Sequence, residues 1–224
     1  MVNYTIDKGP AYTLLKVKLS PEESITVEPG SYMLHKGEVV VSTSSQGIAS
    51  GLARLLGGES FFLNKFTAKT PVELWIAPSV PGDIVAIRLE NQALFVQNTS
   101  YLAHVGDLKV SIGWRGLKGI IAEGSLFWLK VEGVGTVFVN SYGAIEELHL
   151  SEGEKVVVDN GHFVAMDVEL KWSIRKLGGL KTLVFGGEGL VVEVVGPGRI
   201  WVQTRTLPAL AEAIYRYLPK HERT

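Results

Sequence analysis

The chain offers five histidines, at 35, 104, 149, 162 and 221, and no cysteine. Without thiols, disulfides, thiolate nucleophiles and sulfur-ligated zinc are excluded. Any acid–base or metal chemistry therefore falls to His, Asp and Glu. The histidines form no His-x-His pair and none of the His/carboxylate spacings a cupin-like metal site would use, so neither a metal nor a cofactor is expected. Four residues still stand where a ligand could be met. Glu59 follows two glycines and could accept buried backbone hydrogen bonds or meet an Arg across a subunit boundary. His104 repeats the setting of His35, since both follow Ser-Tyr-x-x. Asp159 and His162 bracket Asp-Asn-Gly-His and could line a cleft. Each has a plainer reading. Asp and Asn are ordinary turn formers that bond nearby backbone N–H groups, and residues repeated along a chain usually preserve packing. The sequence assembles no set of nucleophile, base and orienter, so no catalytic residue is assigned.

The glycine-rich segments read as turns. Gly178-Gly-Leu-Lys-Thr182 lacks the contiguous Gly-Lys-Ser/Thr of a phosphate loop, and strand-like residues follow it. Gly186-Gly-Glu-Gly189 lies between strand signals, without the βαβ setting of a dinucleotide site. The five tryptophans, at 75, 114, 128, 172 and 201, fall mostly within strand-like runs, where aromatics build cores or subunit contacts. Twenty-two Lys and Arg against 23 Asp and Glu give a net charge of −1, so no global positive field draws the chain to nucleic acid or anionic lipid.

The elements that must position these residues are mostly strands. Runs rich in β-branched and aromatic residues cover 73–77, 84–89, 126–131, 136–140, 155–158, 163–172, 190–195 and 199–203. Turn residues divide them: Pro-Gly at 29–30, 81–82 and 197–198, Gly133-Val-Gly135 and Asp159-Asn-Gly161. Short strands with turns about every 8–12 residues indicate a sandwich or barrel. Two segments have helical spacing. One is Ile48 to Leu56, stopping at Gly57-Gly58; the other is Pro208 to Leu218, with Leu210, Ile214, Tyr217 and Leu218 on one stripe. The second is expected to dock on the β body or on a neighbouring subunit. At 224 residues and 46% apolar composition the chain can bury roughly three quarters of its unfolded surface. The first residues do not read as a basic, apolar and small-residue leader, so no secretory signal is expected, and no apolar run approaches the about 20 residues of a spanning helix. A cytoplasmic location is expected, which leaves the sequons at Asn3 and Asn98 without meaning.

Self-comparison gives the clearest signal. Residues 123–141 align without gaps on 186–204, matching Val131 with Val194, Gly133 with Gly196, Gly135 with Gly198 and Val139 with Val202. A weaker copy runs from Gly58 to Trp75. Residues 81–109 fall on 142–170, and Val27 to Met33 resembles both Val96 to Leu102 and Val158 to Val164. We expect one β domain over 1–206 made of three repeats, about 1–80, 81–141 and 142–206, followed by a helix and tail over 207–224. Such units stack to bury a shared apolar face.

Glu28-Pro-Gly-Ser-Tyr-Met33, Leu56-Gly-Gly-Glu-Ser-Phe61, Pro81-Gly82, Val158-Asp-Asn-Gly-His162, Gly186-Gly-Glu-Gly189 and Gly196-Pro-Gly198 through Arg205 resemble a prokaryotic family of uncharacterised proteins. That family also includes a fungal mitochondrial protein of altered organelle inheritance. The resemblance implies an all-β, triplicated β-sandwich like the tryptophan RNA-binding attenuation protein, of double-stranded β-helix type, with a short internal helix and a C-terminal helix. It also implies a homo-oligomer, often a trimer, and carries no reaction. The RNA reader's basic triplet has no counterpart here, so nucleic acid is not an expected partner. The chain reads as a non-enzymatic, homo-oligomeric scaffold or binding module. A small-molecule or RNA-binding ring, or an enzyme with a cleft between repeats, are the alternatives.

Overall fold

The computed structural model describes residues 2–44, 62–115, 127–176 and 190–218. The helix expected over 48–56, Glu59, His221 and the glycine segments at 178–182 and 186–189 lie outside them. The strands fall into three runs along the chain. The first holds β1 (Asn3–Asp7), β2 (Leu14–Leu19), β3 (Ser24–Val27), β4 (Tyr32–Lys36), β5 (Val39–Ser44), β6 (Leu63–Ala68) and β7 (Val72–Ile76). The second holds β8 (Ile84–Gln97), β9 (Tyr101–Arg115) and β10 (Phe127–Asn140). The third holds β11 (Ile145–Leu150), β12 (Lys155–Asp159), β13 (Phe163–Asp167), β14 (Lys171–Lys176), β15 (Leu190–Val195) and β16 (Gly198–Gln203), and helix α1 (Leu207–Tyr215) follows.

The described strands pair antiparallel in three sheets. A nine-stranded sheet, β11-β16-β13-β8-β10-β9-β3-β6-β5, passes through all three runs. A four-stranded sheet, β1-β2-β7-β4, belongs to the first run, and a three-stranded sheet, β12-β15-β14, to the third. Two isolated parallel bridges, Tyr12 to Gly82 and Gly82 to Gly143, tie the starts of the runs together.

Local chemistry decides where a strand folds over and where it continues. Between β2 and β3 the Ser20 N–H donates to Glu23 Oε2 at 2.8 Å, and between β11 and β12 the Ser151 N–H donates to Glu154 Oε2 at the same distance. In both places a Glu three residues on closes the turn and the chain changes sheet. The middle run has Glu90-Asn-Gln-Ala93 at the corresponding place, and β8 runs on for 14 residues. Gly133-Val-Gly135, expected as a turn, lies inside the continuous β10, because β8 and β9 flank it on both sides and keep the ladder going. Opposite Gly133 and Val134 the neighbouring β8 carries one extra residue, Asn91, with a φ of +61°, as a β-bulge. Gly196-Pro-Gly198 does divide two strands, since Pro has no N–H for a ladder. The run expected over 163–172 is broken by a turn at 168–170 into β13 and β14.

Alternation sets the core. In β7, Val72, Leu74 and Ile76 point inward and are buried, while Glu73 and Trp75 are only partly so. β13 lies inside the nine-stranded sheet, with its first four residues all buried. Trp128 anchors the cluster shared by the second and third runs, its ring 4.5 Å from Phe163, 4.8 Å from Trp172 and 4.9 Å from Trp114. Each such burial is worth about 2–3 kcal/mol. None of the residues of α1 is buried, so the expected docking on the β body is not found.

Candidate functional site

Three corners of the fold share one pattern. Val27, Val96 and Val158 each stand five residues before an aromatic, Tyr32, Tyr101 and Phe163, and the chain turns between them. The residue after each valine is polar: Glu28, Gln97 and Asp159. Three residues beyond each aromatic come His35, His104 and Met166. Every candidate within the described residues sits at one of these corners.

At the second corner, His104 is buried and its Nδ1 lies 2.6 Å from the Tyr101 hydroxyl, itself fully buried. Burial, with the charge of Lys65 adding to it, pushes the His104 imidazole down to about 4, so the ring is neutral at physiological pH. The Tyr101 hydroxyl is held well above its ordinary range by burial and by Glu28, and stays protonated. Glu28 comes from the first corner, where its backbone N–H donates to Leu102 O at 2.9 Å. Burial raises its carboxyl to about 7, against the opposing pull of a hydrogen bond with Ser31. Glu28, Ser31, Tyr101 and His104 thus form one polar patch where β3 pairs with β9. The first corner repeats the pair at the surface: the Tyr32 hydroxyl lies 2.9 Å from His35 Nδ1.

Asp159 and His162 share the third corner, away from His104. The Gly161 N–H donates to Asp159 Oδ1 at 2.8 Å, and the His162 N–H donates to Asp159 O at 2.9 Å. His162 Nδ1 lies 2.6 Å from the carbonyl oxygen of Gln203, which can only accept, so Nδ1 carries a proton. Gln203 completes the corner: its Nε2 donates to Gly161 O, and its Oε1 accepts from the Tyr142 N–H. Beside this corner a cleft of about 360 Å³, lined by Tyr142, His162, Arg205, Thr206 and Leu210, opens under the start of α1. A larger cleft of about 460 Å³ runs along Arg88, Gly106 and Thr136. Among the described residues no three His, Asp or Glu side chains come together as a metal would need.

Sequence reasoning passed over Glu28 and the Asp167–Arg199 pair. Arg199 donates from N, Nε and Nη2 to the Asp167 carboxylate at 2.8, 3.1 and 3.0 Å. The signal for Glu28 was its alignment with Asp159. Nothing in the sequence joins residues 167 and 199, which meet only because β13 pairs with β16.

Comparison with known proteins places this arrangement. An uncharacterised protein of Streptococcus pyogenes serotype M6 is 30% identical over 228 residues, covering 97% of this chain and 92% of that protein. A crystal structure of a Streptococcus pyogenes protein superposes with a TM-score of 0.83 at 29% identity, covering 97% of this chain and 100% of the other. The altered inheritance of mitochondria protein 24 of Verticillium alfalfae is 27% identical over 168 residues, which is 71% of this chain and 42% of the fungal protein. Residues 4–205 match the family described as mitochondrial biogenesis AIM24, and with these similarities across nearly its whole length the chain belongs to that family.

Proposed function

We infer that the protein is a non-enzymatic, homo-oligomeric scaffold or binding module built from three copies of one β unit. The observation that carries this reading is the use to which its candidate polar groups are put. Asp159 and His162 spend their oxygen and Nδ1 on the backbone of their own corner, and His104 spends Nδ1 on Tyr101. Groups committed in this way hold turns in place. The matching corners, with Val-x-x-x-x-aromatic in all three, support triplication over about 1–80, 81–141 and 142–206. Exposed apolar residues support self-association, among them Met33 at 53% and Ile214 at 49% of full exposure. A trimer in the cytoplasm is the specific form of this reading.

Native mass spectrometry of protein purified gently from its own cells tests it, because subunit number and retained ligand are read together. The expected result is a closed oligomer without added mass. A monomer, or an oligomer carrying a stoichiometric small molecule or RNA, would overturn the reading.

A further inference from the structure

We propose that the outer edge of β4 in one copy pairs with the outer edge of β12 in a second copy, joining chains head to tail; this rests on the oligomeric reading above. Two junctions of a single kind already exist inside the nine-stranded sheet. β9 pairs with β3 through Ala103↔Val27, His104↔Thr26 and Val105↔Ile25. β13 pairs with β8 through Ala165↔Val96, Met166↔Phe95 and Asp167↔Leu94. In each, the residue two beyond a corner aromatic faces the corner valine of the preceding run.

The chain contains one more strand of each kind. Leu34 lies two beyond Tyr32 in β4, and Val158 is the corner valine that ends the apolar part of β12. β4 is the last strand of β1-β2-β7-β4, and β12 the first of β12-β15-β14, so among the described residues each has a strand on one side only. The difference in burial follows. The first five residues of β9 are buried, whereas Tyr32 and Met33 are 42% and 53% exposed and Val157 is 41% exposed. Apolar strand edges of this sort serve as templates for a further strand unless something covers them.

A second copy fits because it presents the complementary edge in the register the chain already uses twice. Transferring that register gives Leu34↔Val158, His35↔Val157 and Lys36↔Val156, antiparallel. It also gives a bond from the Asp159 N–H to Met33 O, matching the one from the Glu28 N–H to Leu102 O. The two edges differ, so the contact is heterologous and each copy keeps one edge of each kind for the next.

Because the chain has no cysteine, introduced thiols report this contact without background. His35→Cys protein is mixed with Val157→Cys protein under mild oxidation. Directly opposed residues of an antiparallel pair have Cα atoms about 4.5–5.5 Å apart, within disulfide reach. The expected result is a mixed disulfide dimer that neither variant gives alone; Lys36→Cys with Val156→Cys repeats the test should one variant fail to fold. An oligomer by native mass spectrometry with no mixed disulfide from either pair overturns this interface and leaves the oligomeric reading standing. A monomer overturns both. Dimers of a single variant, or an intramolecular disulfide in His35→Cys/Val157→Cys protein, also overturn the head-to-tail contact.

Discussion

At the scale of the residue, the half-buried Glu28 and the buried His104 are two titrating groups with opposite effects on stability. Glu28 is raised to about 7, so the folded chain keeps a proton that the unfolded chain releases above about 4.5. Its contribution is full below the unfolded value and lost as pH rises through 7. His104 is lowered to about 4 from 6.5. Its contribution is full above 6.5 and lost as pH falls through 4. Each is on the order of 3 kcal/mol, and between pH 6.5 and 4.5 their slopes oppose one another. Glu28→Gln removes one arm, so relative to the parent it is expected to lose about 2–3 kcal/mol on going from pH 6.5 to 4.5. His104→Gln is expected to change in the other direction. Urea unfolding at pH 4.5, 5.5 and 6.5 reads both, and variants that track the parent across this range would contradict the argument. Asp167 is a second test at this scale. Its two oxygens accept three hydrogen bonds from Arg199, and Asp167→Asn removes the charge and turns one of those oxygens into an amide NH2 that cannot accept, so at least one bond is lost and the rest are weakened, at an expected cost of about 1.5–3 kcal/mol in the same measurement.

At the scale of the element, the close pairing of β9 with β10 depends on a glycine of β9. Gly106, with φ +97°, faces Gly135 in the β9–β10 pairing, and a Cβ there would lie 2.7 Å from Gly135 Cα. Gly30 also has a positive φ, +90°, but a Cβ added there meets nothing within 4 Å. The comparison separates backbone strain from crowding. Gly30→Ala is expected to cost about 1–2 kcal/mol from the left-handed conformation alone. Gly106→Ala adds overpacking of about 1–3 kcal/mol to that. Equal losses in thermal or urea unfolding would show that the contact between Gly106 and Gly135 is not tightly packed. Helix α1 gives the opposite expectation. With none of its residues buried, removal of 207–224 should leave the unfolding free energy read from urea titration nearly unchanged, within about 0.5 kcal/mol. A larger loss would mean that the tail contributes to the fold.

At the scale of the whole molecule, the nine-stranded sheet makes the three runs one body. The middle run supplies the continuous strands; the outer runs fold over at Ser-x-x-Glu turns and cover its two ends. Removing one run would strip a sheet edge that the next one pairs with, so residues 81–141 expressed alone should not give a cooperative thermal transition; a sharp transition would show an autonomous unit. Much of this was legible in the sequence. The all-β class follows from β-branched runs between Gly and Pro turns, and the corners at 27–32, 96–101 and 158–163 follow from self-similarity. Both are local or repeated properties, written into neighbouring residues by sterics and hydrogen bonding. Whether Gly-x-Gly ends a strand or runs on within it was settled by the tertiary structure, because flanking strands on both sides hold β10 in its ladder. So were the burial that moves Glu28 and His104 in opposite directions and the meeting of Asp167 with Arg199. Those depend on which strands pair across long stretches of chain, a property no short window of sequence contains.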